Sequence, residues 1–378
     1  MMIFTVAPLL ALYVYWRAVR PNAEGAIRVA GALLLALGAL FPIFVDTFGG
    51  SILAPTLDAR VMLVGEFFLL TLLASAIFVF FRDAVLVVCR FFSLRPAFLT
   101  ASKTIGLLFV SAALISGFSI SRALRDPVVN HVTVAVENLP EDLAGLKIAQ
   151  LSDLHQANVF GPERLKRIVR LTNALNADLI VITGDSVDGA VKSRGDDLLA
   201  LKDLRAPGGV YVIEGNHEHY VDYDGWMGFY PTLGLKLLRN EHAVIKRGES
   251  AVVLAGLTDY GAGRFQREEP DMARALKGAP AGLTIVLSHQ PREVKKLADF
   301  DVDLVLCGHT HGGQMPLLSI LVTVLNDGLL RGLYMRKGNT GKPVSVYVHS
   351  GTGLWTGYSA RLGTQNEIAL ITLEKKGK

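Results

Sequence analysis

Asp153, His155, Asp185, Asn216, His289, His309 and His311 are oxygen and nitrogen donors of the kind that hold divalent cations. Each sits in a short motif: SDLH (152–155), GDSVD (184–188), GNHE (215–218), SHQP (288–291) and GHTHGGQ (308–314). Donors at i and i+2, as in Asp153/His155 and His309/His311, can face one ion where the backbone is extended, because a strand turns alternate side chains to the same side. Asp185 can serve two ions, one through each carboxylate oxygen; in a purely structural role it would cap a helix or make a turn. Asn216 offers a neutral amide oxygen, and His217 beside it can aim at a leaving group. Donors of this set without thiolate disfavour a structural zinc site and suit a pair of divalent or mixed-valence ions, Mn, Fe or Zn. Two such ions about 3.5–4 Å apart acidify a bridging water and stabilise both ends of an in-line displacement. The expected chemistry is therefore hydrolysis by a metal-bridging hydroxide.

The motifs follow short apolar runs, which places them at the ends of strands. HVTVAV (131–136), KIAQLS (147–152), LIVITG (179–184), VYVIEG (210–215), HAVIK (242–246), AVVLAG (251–256), LTIVLS (283–288), DLVLCG (303–308), VSVYVH (344–349) and IALITL (368–373) are mostly rich in β-branched residues and bounded by turn signals. Helices are expected at 161–175, 195–205, 268–278 and 291–299. In the first, Leu165, Ile168, Val169 and Leu171 form an apolar stripe opposite basic residues. Early strand–helix alternation followed by closely spaced strands predicts an α/β (α+β) sandwich of two mixed sheets, each backed by helices.

The first third of the chain is different. Segments 27–45, 61–81 and 104–120 are long and apolar enough to span a bilayer, and 2–16 is a shorter fourth candidate containing Pro8 and ending in Tyr13, Tyr15 and Trp16. It has no basic leader before it, so cleavage as a signal peptide is not expected. The loop at 17–28 carries Arg17, Arg20 and Arg28, and the loop at 82–103 carries Arg82, Arg90, Arg95 and Lys103. Basic short loops stay on the cytoplasmic side, so the segment at 104–120 leads outward and the large C-terminal part is expected to be extracytoplasmic. Glu66, inside an apolar segment, is either functional, as in transport or a relay, or close enough to the outer end to reach the interface. Residues 84–92 either extend the preceding helix or lie along the inner interface. The chain thus divides into a transmembrane helical region (1–121), a linker and first strand (122–145), and a catalytic domain (146–378).

Residues 1–121 hold 8 Lys/Arg and 5 Asp/Glu of the chain's 38 and 34, so the remainder is almost neutral. No basic cluster interleaved with aromatics is present, which excludes a nucleic-acid partner. Cys89 and Cys307 are not expected to pair. His131, His219, His242 and His349 fall outside the motifs and read as structural or surface residues, with His219 the closest to a motif.

Together D-x-H, GD-x-x-D, GNHE, a His two residues before Pro, and GHTHGGQ resemble the calcineurin-like metallophosphoesterase family, over about 146–373. GHTHGGQ and the tail SGTGLW…ARLG…EIALITL are similar to a branch of transmembrane proteins with YkuE- and YaeI-type phosphoesterase domains. The resemblance implies a metallophosphatase-like fold and an enzyme, a metal-dependent phosphoric ester hydrolase. It implies that Asp153, His155 and His311 bind one metal, that Asn216, His289 and His309 bind the other, and that Asp185 bridges them. Mn or a mixed Fe-containing pair is the usual occupant. His217 matches the histidine that assists the departing oxygen; Asp188, counted with His217 among the catalytic candidates, and Glu218 are candidates for orienting the ligands, as partners behind metal ligands do. Arg361 either meets a substrate phosphate or is a surface arginine.

The sequence departs from the family at 315–335, unusually apolar for a loop beside a polar site. It is either a membrane-facing lip that admits a lipid phosphoester or pyrophosphate headgroup, or a buried core helix. Relatives implied by the resemblance cleave the pyrophosphate of a UDP-2,3-diacylglucosamine lipid, a cytoplasmic substrate at odds with the outward orientation. The same motifs would also serve a soluble-nucleotide phosphodiesterase, or a membrane sensor or transporter that binds metal without catalysis.

Overall fold

The computed structural model describes residues 2–297, 300–337 and 341–377, and the chain forms two units: Met1–Leu124 with Thr356–Ala360, and Arg125–Trp355 with Arg361–Lys378.

The first unit is helical. α1 (Met2–Val14) continues through a π-helical turn to Asn22, followed by α2 (Gly25–Phe48), α3 (Ala59–Phe91) and α4 (Ser102–Ala123). All four helical stretches are long and apolar enough to cross a membrane, the first over Ile3–Asn22. Residues 84–91 extend α3 rather than leaving it. Small residues let the helices close up: a Cβ on Gly38 would lie 2.5 Å from the Phe68 carbonyl oxygen, so α2 meets the α3 backbone directly. Tyr13 and Arg17 both donate to Asp83 (3.0 and 2.7 Å), tying α1 to α3. Glu66 is buried within the protein, 1% exposed.

The second unit is a sandwich of two six-stranded sheets. One has the order β1 (Val128–Val136), β12 (Glu367–Lys375), β2 (Lys147–Leu151), β3 (Leu179–Thr183), β4 (Val210–Ile213) and β5 (Lys236–Leu237). The other runs β10 (Gly332–Lys337), β11 (Pro343–Val348), β9 (Leu304–Cys307), β8 (Leu283–Leu287), β7 (Ser250–Gly256) and β6 (Glu241–Arg247). The facing surfaces bury Ile148, Val181 and Ile213 from the first sheet with Leu254, Ile285 and Leu306 from the second. Their continuous apolar runs, rather than alternating ones, reflect burial on both faces.

Helices cover the outer faces. On the first sheet α5 (Pro162–Asn173) packs Leu165, Ile168 and Val169, joined by Trp226 and Tyr230 of α6 (Tyr223–Thr232). The stripe continues at buried Thr172, three residues from Val169 and four from Ile168, and not at Leu171, which is 38% exposed. The helices expected at 195–205 and 268–278 shorten to a 3-10 stretch (Gly195–Asp203) and one turn (Met272–Ala275). That at 291–299 is a 3-10 turn and Val294–Leu297; residues 298–299 lie outside the described ones.

β2, β3 and β4 run parallel, as do β7, β8, β9 and β11. The loops leaving their carboxyl ends carry every motif, where ligands gather in open parallel sheets.

The segment 315–335 is not a loop. It is α7 (Pro316–Leu325), a turn and β10. No residue of α7 is buried, and Ile320 and Val324 are 63% and 71% exposed, so α7 is not a core helix.

Candidate metal centre

Asp153 and His155 lie beyond the end of β2, and the extended geometry expected for them does not hold. Asp153, His155, Asp185, His309 and His311 all adopt positive φ, between 44° and 70°. Left-handed backbone costs a non-glycine residue on the order of 1–3 kcal/mol and persists only where the surroundings impose it. Here they do. The loops after β2 and β3 are laced together: Asp153 N–H donates to the Gly184 carbonyl (3.0 Å), and His155 N–H to that of Asp185 (3.1 Å). The motif glycines allow a close approach between loops. A Cβ on Gly215 would meet Asp185 Oδ1 at 2.3 Å, and one on Gly308 would meet Ser152 Oγ at 2.0 Å.

The side chains converge. The donor atoms of Asp153, His155 and His311 lie within 4.8 Å of one another, and so do those of Asp185, His289 and His309; Asp185 also groups with His155 and His217. His155 Nε2 is 3.2 Å from His311 Nε2 and 3.7 Å from Asp185 Oδ2. His289 Nε2 is 3.1 Å from Asp185 Oδ2 and 3.2 Å from Asn216 Oδ1. Donors bound about 2.1 Å from one ion at tetrahedral to octahedral angles stand roughly 3.0–3.4 Å apart, the separation seen for several of these pairs.

The hydrogen bonds behind the donors fix their tautomers. Burial pushes the Asp188 carboxyl up, but His155 and His217 outweigh it and hold it down to about 2. An ionised carboxylate only accepts, so His155 Nδ1–H and His217 Nδ1–H both donate to its Oδ1 (2.9 and 2.7 Å). His289 Nδ1–H donates to the Thr183 carbonyl (2.8 Å). The Nε2 atoms of His155 and His289 are thereby turned to the centre. His155 Nε2 and His311 Nε2 face each other at 3.2 Å, a pair that either a shared proton or a cation would hold together. Burial lowers the pKa of His155, but Asp188, Asp185 and Asp153 together raise it to about 9; burial lowers His289 too, but Asp185 and Asp153 outweigh it and hold it well above the usual imidazole value. Burial and the His289 charge push His309 down to about 3. Buried acids that draw positive charge, and free ring nitrogens aimed at it, fit a pair of cations. Glu218 holds the loops from below, accepting from the N–H groups of Asp185 (3.1 Å), Ser186 (2.8 Å) and Gly215 (2.7 Å) and from Tyr230 Oη (2.8 Å).

Residues 146–313 match the model for calcineurin-like phosphoesterases. The chain is 35% identical over 278 residues to a zebrafish (Danio rerio) protein named transmembrane protein with metallophosphoesterase domain, a match covering 71% of this chain and 62% of that one. It is 30% identical over 273 residues to the metallophosphoesterase YkuE of Bacillus subtilis, covering 68% of this chain and 90% of that one. This chain belongs to the calcineurin-like phosphoesterase family. It spans just under two thirds of the zebrafish relative. Among solved structures, the NAD nucleotidase of Haemophilus influenzae superposes with a TM-score of 0.41 at 16% identity, covering 55% of this chain and 51% of that one.

Within this phosphoesterase fold Arg361 has a different place from either expectation. It is fully buried. Its Nη1 donates to the His311 carbonyl (2.9 Å), Nη2 to those of Gly351 and Gly353 (3.1 and 3.0 Å), and Nε to Asn366 Oδ1 (2.7 Å). It braces the His311 turn instead of presenting its guanidinium to a substrate. His219 is also buried, but it pairs with Glu214 (3.1 Å) and stacks on Tyr223.

Two residues that no ligand pattern marks flank His217. Tyr220 lies 4.8 Å from it between ring centroids and Trp355 6.3 Å. Tyr220 Oη accepts from Asn216 Nδ2 (2.9 Å), which leaves the amide oxygen facing His289. Trp355 falls in the SGTGLW tail, the only sequence signal for it.

Proposed function

We propose that this chain is a membrane-anchored dinuclear-metal phosphoesterase that hydrolyses a phosphoester or pyrophosphate bond of a lipid headgroup. The observation that carries the reading is the two donor groups, Asp153/His155/His311 and Asp185/His289/His309. Asp185 stands within 3.1 Å of His289 and 3.7 Å of His155, the two sides of the centre. Asp153, His155 and His311 would hold one ion, Asn216, His289 and His309 the other, with Asp185 shared. The ions would supply an acidified water and charge stabilisation at phosphorus. His217, held by Asp188 through Nδ1, leaves Nε2 open, and as the imidazolium it would hand its Nε2 proton to the departing oxygen. Asp188 sets both imidazoles at once.

The lipid clause rests on α7, which begins one residue after GHTHGGQ, is apolar apart from Ser319 and Thr323, and buries none of its residues. Four residues, 124–127, join the last membrane-length helix to β1. An exposed apolar helix on a domain tethered so closely suits a bilayer surface. The basic loops at 17–28 and 82–103 favour an extracytoplasmic catalytic domain, which disfavours a UDP-linked cytoplasmic substrate.

Detergent-purified protein with Mn²⁺ should hydrolyse bis-p-nitrophenyl phosphate. An Ile320→Ser/Val324→Ser double variant should keep that rate and lose most hydrolysis of phospholipid esters in vesicles. Turnover of water-soluble diesters alone, with no lipid substrate in a broad panel, would refute the lipid clause and favour a nucleotide phosphodiesterase. No turnover of any ester with metal bound would leave a sensor.

A further inference from the structure

Glu66 is the one acidic residue within the apolar run 61–81 of α3. A carboxylate there is costly unless something satisfies it, and the fold supplies that from an unexpected quarter. The Ser359 N–H donates to Glu66 Oε2 (3.3 Å). Thr356–Ala360, a five-residue excursion from the sandwich, belongs to the helical unit, and Thr356, Ser359 and Ala360 are all buried.

The two ends of that excursion are bound to the metal-centre loops. On one side Thr352 N–H donates to the Ser152 carbonyl (2.7 Å) and Gly353 N–H to that of Asp153 (2.9 Å). Trp355 follows, its ring beside His217. On the other side Arg361 grips the His311 carbonyl and, turning back, those of Gly351 and Gly353. A single short segment therefore touches the backbone of two ligand residues, one from each sheet, and the flank of His217, while its tip ends on an acid in a membrane-length helix.

We propose that Glu66 is a positioning residue: it latches the 356–360 tip and so holds Trp355 against His217 and Arg361 under His311. The carboxylate acts through the segment and touches no substrate. Its hydrogen-bonded partner is the backbone N–H of Ser359, so the contact fixes the loop at that point. α3 and α4 are consecutive packed helices joined by the turn at 92–101, which sets the N-terminal end of α3, where Glu66 sits, level with the C-terminal end of α4. The catalytic half of this inference rests on the phosphoesterase reading above; the structural half does not.

The test is hydrogen–deuterium exchange and steady-state kinetics on the full chain in detergent, with Mn²⁺ and bis-p-nitrophenyl phosphate. Glu66→Leu removes the acceptor, and Glu66→Gln keeps an oxygen for the Ser359 N–H. In Glu66→Leu, exchange across 351–361 should rise roughly tenfold, the scale of one lost buried hydrogen bond, with β2 and β3 unchanged. kcat should fall by a similar factor at constant KM. Glu66→Gln should restore both to within about twofold. If Glu66→Leu does not fold, Ser359→Pro removes the donor from the loop side and should open the same segment. Unchanged exchange across 351–361 in the folded variant would overturn the latch. Wild-type protein inactive on every ester would remove the phosphoesterase reading and leave the exchange result to judge the latch alone.

Discussion

The two sheets contribute unequally to the metal centre. Loops after β2, β3 and β4 of the first sheet bring the acids and the amide of the donor set, Asp153, Asp185, Asp188 and Asn216, with His155 and His217 among them. Loops after β8 and β9 of the second sheet bring His289, His309 and His311, and an acid acting on them, Asp259 after β7, stands behind His289. The first sheet brings the carboxylates of the two donor groups, and the second brings imidazoles to them. The consequence shows in His155 and His309, both fully buried: Asp188 and its neighbours lift His155 against the pull of burial, whereas burial and the charge on His289 push His309 down. Burial alone would have lowered both.

The sharpest way to break this contrast is to remove charge from the first sheet and a nitrogen from the second. Asp185→Asn takes away the one carboxylate shared by both donor groups. Activity on bis-p-nitrophenyl phosphate should fall at least about a thousandfold, the scale of losing one charge-stabilising group in a hydrolytic site, and bound Mn²⁺ should drop at both positions. His311→Ala leaves Asp185, His289 and His309 together and should retain about half the metal. Equal metal loss in the two variants, read by elemental analysis after gel filtration, would show that the sheets do not divide the work.

Asp188→Asn probes the first sheet without touching a ligand. An amide in its place can offer an N–H toward His155 Nδ1 and His217 Nδ1, where a carboxylate can only accept. Both imidazoles would lose the bond that fixes their tautomer. Metal affinity and kcat/KM should fall about 10–100-fold, as for other residues that orient metal-bound histidines. Wild-type Mn²⁺ affinity by calorimetry would place the role of Asp188 elsewhere.

These residues were legible in the sequence because strand-end motifs combine a rigid β-branched run with a ligand of characteristic type. Ten strands could be read from such runs and α5 from its stripe, whereas α6, with Pro231 inside it and a weak apolar pattern, could not. β5 could not, being two residues long, and β10 was hidden because its alternating burial sits inside an apolar stretch that also contains α7. Left-handed backbone at Asp153 and His155 is likewise invisible in residue type: it is imposed by the neighbouring β3 loop and by the 352–353 segment. Arg361 and Glu66 illustrate the hardest case. An arginine in a polar tail and an acid in an apolar helix gain their meaning from partners 50 and 293 residues away, which no local pattern specifies.

The smallest expected effect lies at the edge of the first sheet's contribution. Asn216 is an uncharged ligand whose amide could present either its oxygen or its NH₂ to the centre, and Tyr220 decides the matter by accepting from Nδ2. Tyr220→Phe removes the acceptor and keeps the ring against His217 and Phe265. One neutral hydrogen bond is worth about 1 kcal/mol, so the weaker-held ion should bind roughly fivefold less tightly, and kcat at saturating Mn²⁺ should recover. A loss of kcat that excess Mn²⁺ does not restore would mean that the tyrosine hydroxyl acts on the substrate itself rather than on the amide.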